Sequence, residues 1–285
     1  MVKRVIALVD CNAFYCSCER ATQPALKSKP IVVLSNNDGC IIARSAEAKA
    51  LGIPMGAPYF KIKDELRKLG VVVRSSNYPL YADLSNRVME VLADMVPAIE
   101  VYSIDEAWAD FTGLPGDPAE LGRQIRQRLL QWVGMPVGVG ISTTKTLAKL
   151  ANWAAKKWPA TGGVVDLTSP ERQDKLLRIA PVEEVWGIGR RLAVKLSTMN
   201  ITTAWELAHY DAATLRKTFG VTVERTAREL RGVSCLGFSD GPPPKQAICS
   251  SKMFGDKLKD LAPIREAMAS YVTRAAEKLR SQQSL

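Results

Sequence analysis

Val5-Ile6-Ala7-Leu8-Val9-Asp10-Cys11-Asn12-Ala13-Phe14-Tyr15 is the stretch on which the reading of this chain turns. Its apolar, mostly β-branched start reads as a strand, and the strand delivers a carboxylate, Asp10, at its end. Further along, a second β-like stretch around Val101 to Phe111 carries Ser103-Ile104-Asp105-Glu106. In one straight strand Asp105 and Glu106 would face opposite sides, because strand side chains alternate. A hairpin bend at Ser103 to Glu106 is therefore expected. Three carboxylates brought together this way make a cation site. Hard divalent ions such as Mg²⁺ take oxygen ligands, usually one or two carboxylates plus substrate phosphates. Two such ions can clamp the attacking and leaving oxygens of a phosphoryl displacement, so the pattern points to nucleotidyl transfer. Taken singly, an Asp that ends a strand is more often a turn former or a helix cap.

Working outward, Ala13 to Arg20 reads as a short helix and Pro30 to Leu34 as a strand. Asn36-Asn37-Asp38-Gly39 has the residues that a tight hairpin needs at positive φ, with Cys40 to Ala43 returning as the paired strand. Ala46 to Leu51 is helical and stops at Gly52, a usual C-terminal cap. From Asp83 the apolar residues Leu84, Val88, Val91, Leu92 and Met95 recur at helical spacing. A helix from Ala119 to Trp132, a strand from Pro136 to Ile141, a basic helix from Thr146 to Lys157 and a strand from Val164 to Leu167 follow. This alternation argues for an α/β architecture. Residues 170–232 lose the strand signal and become helical around Gly187-Ile188-Gly189. Two helices joined through such a turn form a helix-hairpin-helix, whose backbone N–H groups can hold a DNA phosphate. A plain helix connection with a glycine cap fits the same residues, and Arg190 and Arg191 favour phosphate. Asp240-Gly241-Pro242-Pro243-Pro244 is a stiff linker, after which a strand (Gln246 to Met253) and a helix (Pro263 to Arg280) remain.

Composition narrows the function. A chain of 285 residues exceeds one small core. Its charge of +10 suits a polyanionic partner such as DNA. The cysteines at 11, 16, 18, 40, 235 and 249 include no Cys-x-x-Cys pair, and the single histidine, His209, is far from them, which argues against zinc. With one histidine, a Ser-His-Asp or Cys-His nucleophile is nearly closed off. No signal sequence and no apolar run near the length of a membrane span are visible, so a cytoplasmic protein without membrane attachment is expected.

The Asp-x-Asn-Ala-Phe-Tyr block at 10–15, Ser35-Asn36-Asn37-Asp38-Gly39-Cys40, Ser75-Ser76-Asn77-Tyr78 and Ser103-Ile104-Asp105-Glu106 together resemble the Y-family translesion DNA polymerases, in the UmuC-like branch. The likeness continues through Gly138-Val139-Gly140-Ile141, Lys145 to Lys149, Val185 to Gly189 and Glu224 to Gly232, and covers about residues 5–280. It implies an α/β palm at 1–15 and 80–168, a small fingers insertion at 16–79, and a helical thumb with a helix-hairpin-helix at 169–233. A linker at 234–245 and an incomplete little finger at 246–285 follow.

The resemblance also implies roles. Asp10 and Asp105 would hold two Mg²⁺ ions, Glu106 would assist the ion near the primer terminus, and Cys11 would lend its backbone carbonyl. Cys11 departs from the Val, Ile or Phe common there, and its thiol is expected to be small and buried. Tyr15 matches the steric gate that leaves no room for a ribose 2′-OH, with Phe14 bounding the sugar and triphosphate pocket. Lys49 and Lys156 match the triphosphate-binding cations, and Arg44 is a third candidate near the nascent pair. Related polymerases outside this branch often carry Tyr where Ala46 stands. The small residues Ala43, Ser45 and Ala46 imply an open site and low fidelity. Gly187, Gly189, Arg190 and Arg191 would hold DNA phosphate. The implied partners are primer-template DNA, deoxynucleoside triphosphates, UmuD-like accessory subunits and the RecA filament, in the SOS response to DNA damage.

Only the first strand and helix of the family's little finger fit before Leu285. A C-terminally truncated product, with weaker grip on DNA, is therefore expected. Two other readings compete. A nucleotide cyclase uses a similar palm with paired carboxylates, but the helix-hairpin-helix, Tyr15 and the basic charge speak against it. A non-catalytic DNA-binding or polymerase-interfering protein would retain the palm without the chemistry.

Overall fold

The computed structural model describes residues 4–239, 247–251, 254 and 257–282. Strand β1 (Ile6–Cys11) leads into helix α1 (Phe14–Thr22). Strands β2 (Ile31–Leu34) and β3 (Ile41–Arg44), helices α2 (Ala46–Ala50) and α3 (Tyr59–Lys68), and strand β4 (Val72–Arg74) come next. They make a three-stranded sheet of order β3-β2-β4. The turn between β2 and β3 takes positive φ at Asn37 and Asp38, while Gly39 stays at φ −74. The hairpin expected there thus forms on the asparagine and aspartate rather than on the glycine.

Helix α4 (Tyr78–Ala93) begins five residues before the periodic apolar stretch, because Asn77 caps it and Pro79 sits in its first turn. Then come β5 (Ile99–Val101), β6 (Glu106–Asp110), α5 (Pro118–Val133), β7 (Val137–Ser142), α6 (Lys145–Lys157) and β8 (Val164–Asp166). Their sheet has the order β5-β6-β1-β7-β8. Within this sheet only β7 and β8 pair in parallel.

Both faces of β1 are covered, and period 2 sorts its residues. Ala7, Val9 and Cys11 join the core formed with α1, α4 and α5, whereas Ile6 and Leu8 meet Trp108 and Ala148 beneath α6. Asp10 shares the parity of Ile6 and Leu8, so it points to the α6 side. Helix α1 runs across residues 15 and 16, and its Cys16 and Cys18 belong to the same large core as β1.

Helices α7 (Pro170–Ile179), α8 (Arg190–Ser197), α9 (Ala204–His209), α10 (Ala212–Phe219) and α11 (Val221–Leu230) build a second core. They pack on Leu147, Leu150, Ala151 and Ala154 of α6. Before Gly187 stands a single 3-10 turn, Val182–Glu184, and not the α-helix expected of a regular helix-hairpin-helix. Pro181 ahead of it and Val185 behind it are extended, which keeps the turn from continuing. Helix α12 (Leu261–Ser281) is near the expected bounds. Residues 247–251 form no strand, and positions 246, 252 and 253 of the expected strand lie outside the described residues, as do 240–245 of the linker.

Candidate active site

The ladder between β1 and β6 pairs Asp10 with Glu106. Directly opposed residues of an antiparallel pair share a face, so the two carboxylates meet beneath α6. Asp105 lies just ahead of β6 in the bend that joins it to β5. Its carbonyl accepts the Cys11 N–H at 2.9 Å, which ties the bend to the end of β1. Ser103 holds the turn: its Oγ donates to Asp105 Oδ1 at 2.6 Å and accepts the Asp105 N–H at 3.3 Å. The N–H groups of Tyr102 and Ser103 both donate to the Glu106 carbonyl and close the hairpin. The bend at Ser103 to Glu106 is what frees Asp105 and Glu106 from the alternation of a straight strand.

Positive charge comes from one stripe of α6. Lys145, Lys149 and Lys156 recur at helical spacing on the face that covers the sheet. Lys145 Nζ donates to both Glu100 oxygens at 2.6 and 2.7 Å, and Lys149 Nζ to both Glu106 oxygens at 3.1 and 3.0 Å. Lys156 forms an ion pair with Asp10. Gly138, opposite Asp10 on β7, makes room for that lysine: a Cβ there would touch Lys156 Cγ and Cε at 3.3 Å. Asn152 anchors the same face by donating to the carbonyls of Leu8 and Gly138. Lys145 and Lys149 were not among the site residues expected from the sequence. Their signal was the spacing 145, 149, 156, which matters only once α6 is known to lie over β7, β1 and β8, from where the lysines reach Glu100, Glu106 and Asp10.

Burial pushes the Asp10 carboxyl up to about 7 against the opposing pull of Lys156, with hydrogen bonding to Glu106 adding to the rise. Burial likewise raises the Cys11 thiol, which is 2% exposed and inert as a nucleophile. Among the described residues no three acidic, cysteine or histidine side chains form a ready metal cluster. Each carboxylate is instead turned toward a lysine or Ser103. The residues nonetheless fit a hard divalent cation. They offer oxygen donors only, two of the carboxylates are forced together, and Asn12, two residues on from Asp10, has its Oδ1 buried without a hydrogen-bond partner.

A cavity of about 300 Å³ opens beside Asp10 and Asp105, and Glu106 does not line it. Asp10, Cys11, Phe14, Tyr15, Arg44, Lys49, Asp105 and Lys156 all line it, so most of the expected site residues come together. The Tyr15 ring stacks on Tyr81 at 4.6 Å between centroids and meets Tyr78 edge-on at 6.1 Å. Tyr81 is itself fixed by donating its hydroxyl to Glu19 at 2.8 Å. Ser45 caps α2, which carries Lys49. Arg44 is tethered to the wall, donating from Nη1 to the Ile53 carbonyl at 2.5 Å.

Gly187, Gly189, Arg190 and Arg191 lie outside this cavity. Gly187 takes φ +89, a conformation suited to glycine, and Gly189 is the N-cap of α8, whose first two residues are Arg190 and Arg191. Their turn is joined to the carboxylate region through Trp186, which packs on Trp108 and Tyr102 and lies under the Lys149 ammonium at 5.5 Å.

Residues 9–153 match the impB/mucB/samB family. Protein UmuC of Salmonella typhimurium is 54% identical over 281 residues, 98% of this chain and 67% of that protein. The chain belongs to the impB/mucB/samB family of Y-family polymerases. This impB/mucB/samB protein is also 32% identical over 235 residues to DNA polymerase IV of Oceanobacillus iheyensis, 81% of this chain and 54% of that protein. Its fold is like that of a Dbh ternary complex, with a TM-score of 0.73 at 25% identity over 96% of this chain and 80% of that chain. The chain spans about two thirds of the length of UmuC and about half that of DNA polymerase IV.

Proposed function

We propose that this chain is the catalytic core of a template-directed, low-fidelity translesion DNA polymerase. The observation that carries the reading is the placing of Asp10 and Asp105 on the wall of a cavity that also holds Tyr15, Lys49 and Lys156, with Glu106 paired to Asp10 across the β1–β6 ladder. The five-stranded sheet is then the palm, residues 16–79 the fingers and residues 169–233 the thumb.

Two Mg²⁺ ions, held by Asp10, Asp105, Glu106 and the Cys11 carbonyl, would lower the barrier by stabilising charge on the transferring phosphoryl group. The chain's own groups do the rest. Lys49 and Lys156 place fixed positive charge beside the triphosphate, where it counters charge that grows during transfer. Tyr15, held flat on Tyr81, cannot swing away from the sugar, so a 2′-hydroxyl meets a fixed ring. Phe14 bounds the sugar side of the pocket, and the small Ala43 beside it suits tolerance of damaged bases. The Cys11 to Asp105 hydrogen bond and the Ser103 clasp keep the carboxylates in register without substrate. The turn at Gly187 and Gly189, with Arg190 and Arg191, offers backbone N–H groups and cations to a DNA phosphate.

UmuD-like subunits, the RecA filament, a role in the SOS response and a cytoplasmic location rest on the family resemblance. No helix among the described residues is long and apolar enough to cross a membrane.

Primer extension on a DNA template is the test. The chain should extend the primer only when template is present. Asp105→Ala or Glu106→Ala should abolish extension while leaving DNA binding nearly intact, because binding rests on phosphate contacts elsewhere. Near wild-type turnover in either variant, properly folded, would overturn the assignment.

A further inference from the structure

A second chamber, of about 510 Å³, lies beyond the nucleotide cavity and shares Lys49 and Lys156 with it. Ala13 and Ala46 leave its near side open, and Arg126 of α5 stands with Pro159, Gly162 and Gly163 on its far side. The guanidinium lies flat against the backbone at Gly163. A Cβ there would meet Arg126 Cζ and Nη1 at 2.5 Å and push the guanidinium aside, and the φ of +79 at this position also favours glycine. Burial holds the Arg126 proton affinity below the usual arginine range, although the group stays charged at neutral pH. Neither Arg126 nor Lys49 has a side-chain hydrogen bond or ion pair among the described residues. A partly desolvated cation without a counter-ion is costly to keep in a fold, and the chamber is open to an anion that would supply the partner.

We propose that Arg126 is a third cationic contact in this chamber, one that receives the condensed-phosphate end of the nucleotide and then the departing pyrophosphate. The inference rests on the polymerase reading above. In that reaction the primer 3′-oxygen forms a bond to the α-phosphorus and its proton passes to solvent. The α–β bridging P–O bond breaks, and its electron pair leaves on pyrophosphate. The leaving group carries several negative charges, and Lys156 is shared with Asp10 at the chamber's entrance. Arg126 supplies charge at the opposite end, away from the carboxylates, and a planar fork suited to two phosphate oxygens.

The test compares Arg126→Gln, Arg126→Lys and Arg128→Gln in the full chain. Arg128 stacks over Trp132 at 5.0 Å and lines no part of the chamber, so its variant is a control of equal charge loss. Two readouts apply: calorimetric binding of inorganic tripolyphosphate to the protein alone, and pyrophosphate inhibition of primer extension. Arg126→Gln is expected to weaken both by about tenfold or more, as when a charged hydrogen bond is lost. Arg126→Lys should restore part of the loss, and Arg128→Gln should change neither. Unchanged tripolyphosphate binding in a folded Arg126→Gln protein, or no binding by the unsubstituted chain, overturns the proposal. A chain that binds tripolyphosphate through Arg126 yet extends no primer overturns the polymerase reading instead. If Arg126→Gln does not fold, Arg126→Lys decides by the same two readouts, with full retention of both counting against a forked contact.

Discussion

Replacing Gly140 by alanine should damage the site without touching any of its charged groups. Gly140 lies in the middle of β7, directly beneath α6. A Cβ built on it would be 2.7 Å from Asn152 Cα, and closer still to the Asn152 nitrogen and the Ala148 oxygen. These are backbone atoms of a helix and cannot rotate aside. Restoring an ordinary contact requires α6 to rise from the sheet by on the order of 1 Å, and such overpacking costs about 1–3 kcal/mol. For a protein of this size that corresponds to a melting temperature lower by roughly 2–12 °C. The same movement lifts Lys149 and Lys156 from Glu106 and Asp10, and a misplacement near 1 Å costs about 10²-fold in rate. Thermal melting and steady-state primer extension measure the two effects. Gly138→Ala is the comparison, since its Cβ would meet only side-chain atoms, the flexible Lys156 stem at 3.3 Å and Asn152 Nδ2 at 3.4 Å, and should spare most of the stability. A Gly140→Ala protein with wild-type melting temperature and turnover would refute the claim that the closeness of α6 to β7 sets the site.

Tyr15→Ala should admit ribonucleotides while keeping deoxynucleotide incorporation, because a clash and not an attraction sets the choice; competing the two sugars on one primer measures it, and an unchanged preference removes Tyr15 from the role. Lys149→Met should lower the half-saturating concentration of divalent ion for extension by about fivefold, since unit charges some 4 Å apart exchange roughly 1 kcal/mol even in water; a titration that does not move leaves Lys149 as packing only. Burial raises the Cys16 and Cys18 thiols from 9.0 to about 12. The folded chain therefore holds thiol protons that the unfolded chain loses above about pH 9, so the contribution of these two cysteines should be constant below that pH and stability should fall as pH rises from there toward 12. Urea unfolding at pH 7, 9 and 10.5 tests this, and a Cys16→Ala, Cys18→Ala protein should show a shallower decline.

Much of the sheet could be read from local pattern. β1 was visible as an apolar run, and the bend at Ser103 to Glu106 followed from the need to gather carboxylates that alternation would separate. The start of α4 was misjudged because its first turn, Tyr78 to Tyr81, is decided by the Asn77 cap and Pro79, and the apolar period begins only later. Helix α3 went unread: Tyr59 to Lys68 is mostly polar, with Leu66 its one buried residue. The irregular connection before Gly187 was missed for another reason, since the extended backbone at Pro181 and Val185 is pinned by a bridge to Thr203 and by the second core. In the site, residues within a motif were legible and their partners were not. Nothing near Lys149 names Glu106, because the pair exists only through the stacking of α6 on β6, 43 positions away in the chain.

The lysine stripe of α6 neutralises most of the acidic face it covers. Glu100, Glu106 and Asp10 are each matched by an ammonium group, so the fold does not depend on an ion to keep its acidic residues from repelling one another. Chelation should therefore empty the reaction of its catalyst without loosening the protein, unlike sites whose metal is part of folding. Lys156, held by Asp10, still has N–H donors to spare, so it can bridge that carboxylate and a phosphate. An anion that enters the cavity would therefore meet an ammonium already fixed in place by the protein's own carboxylate.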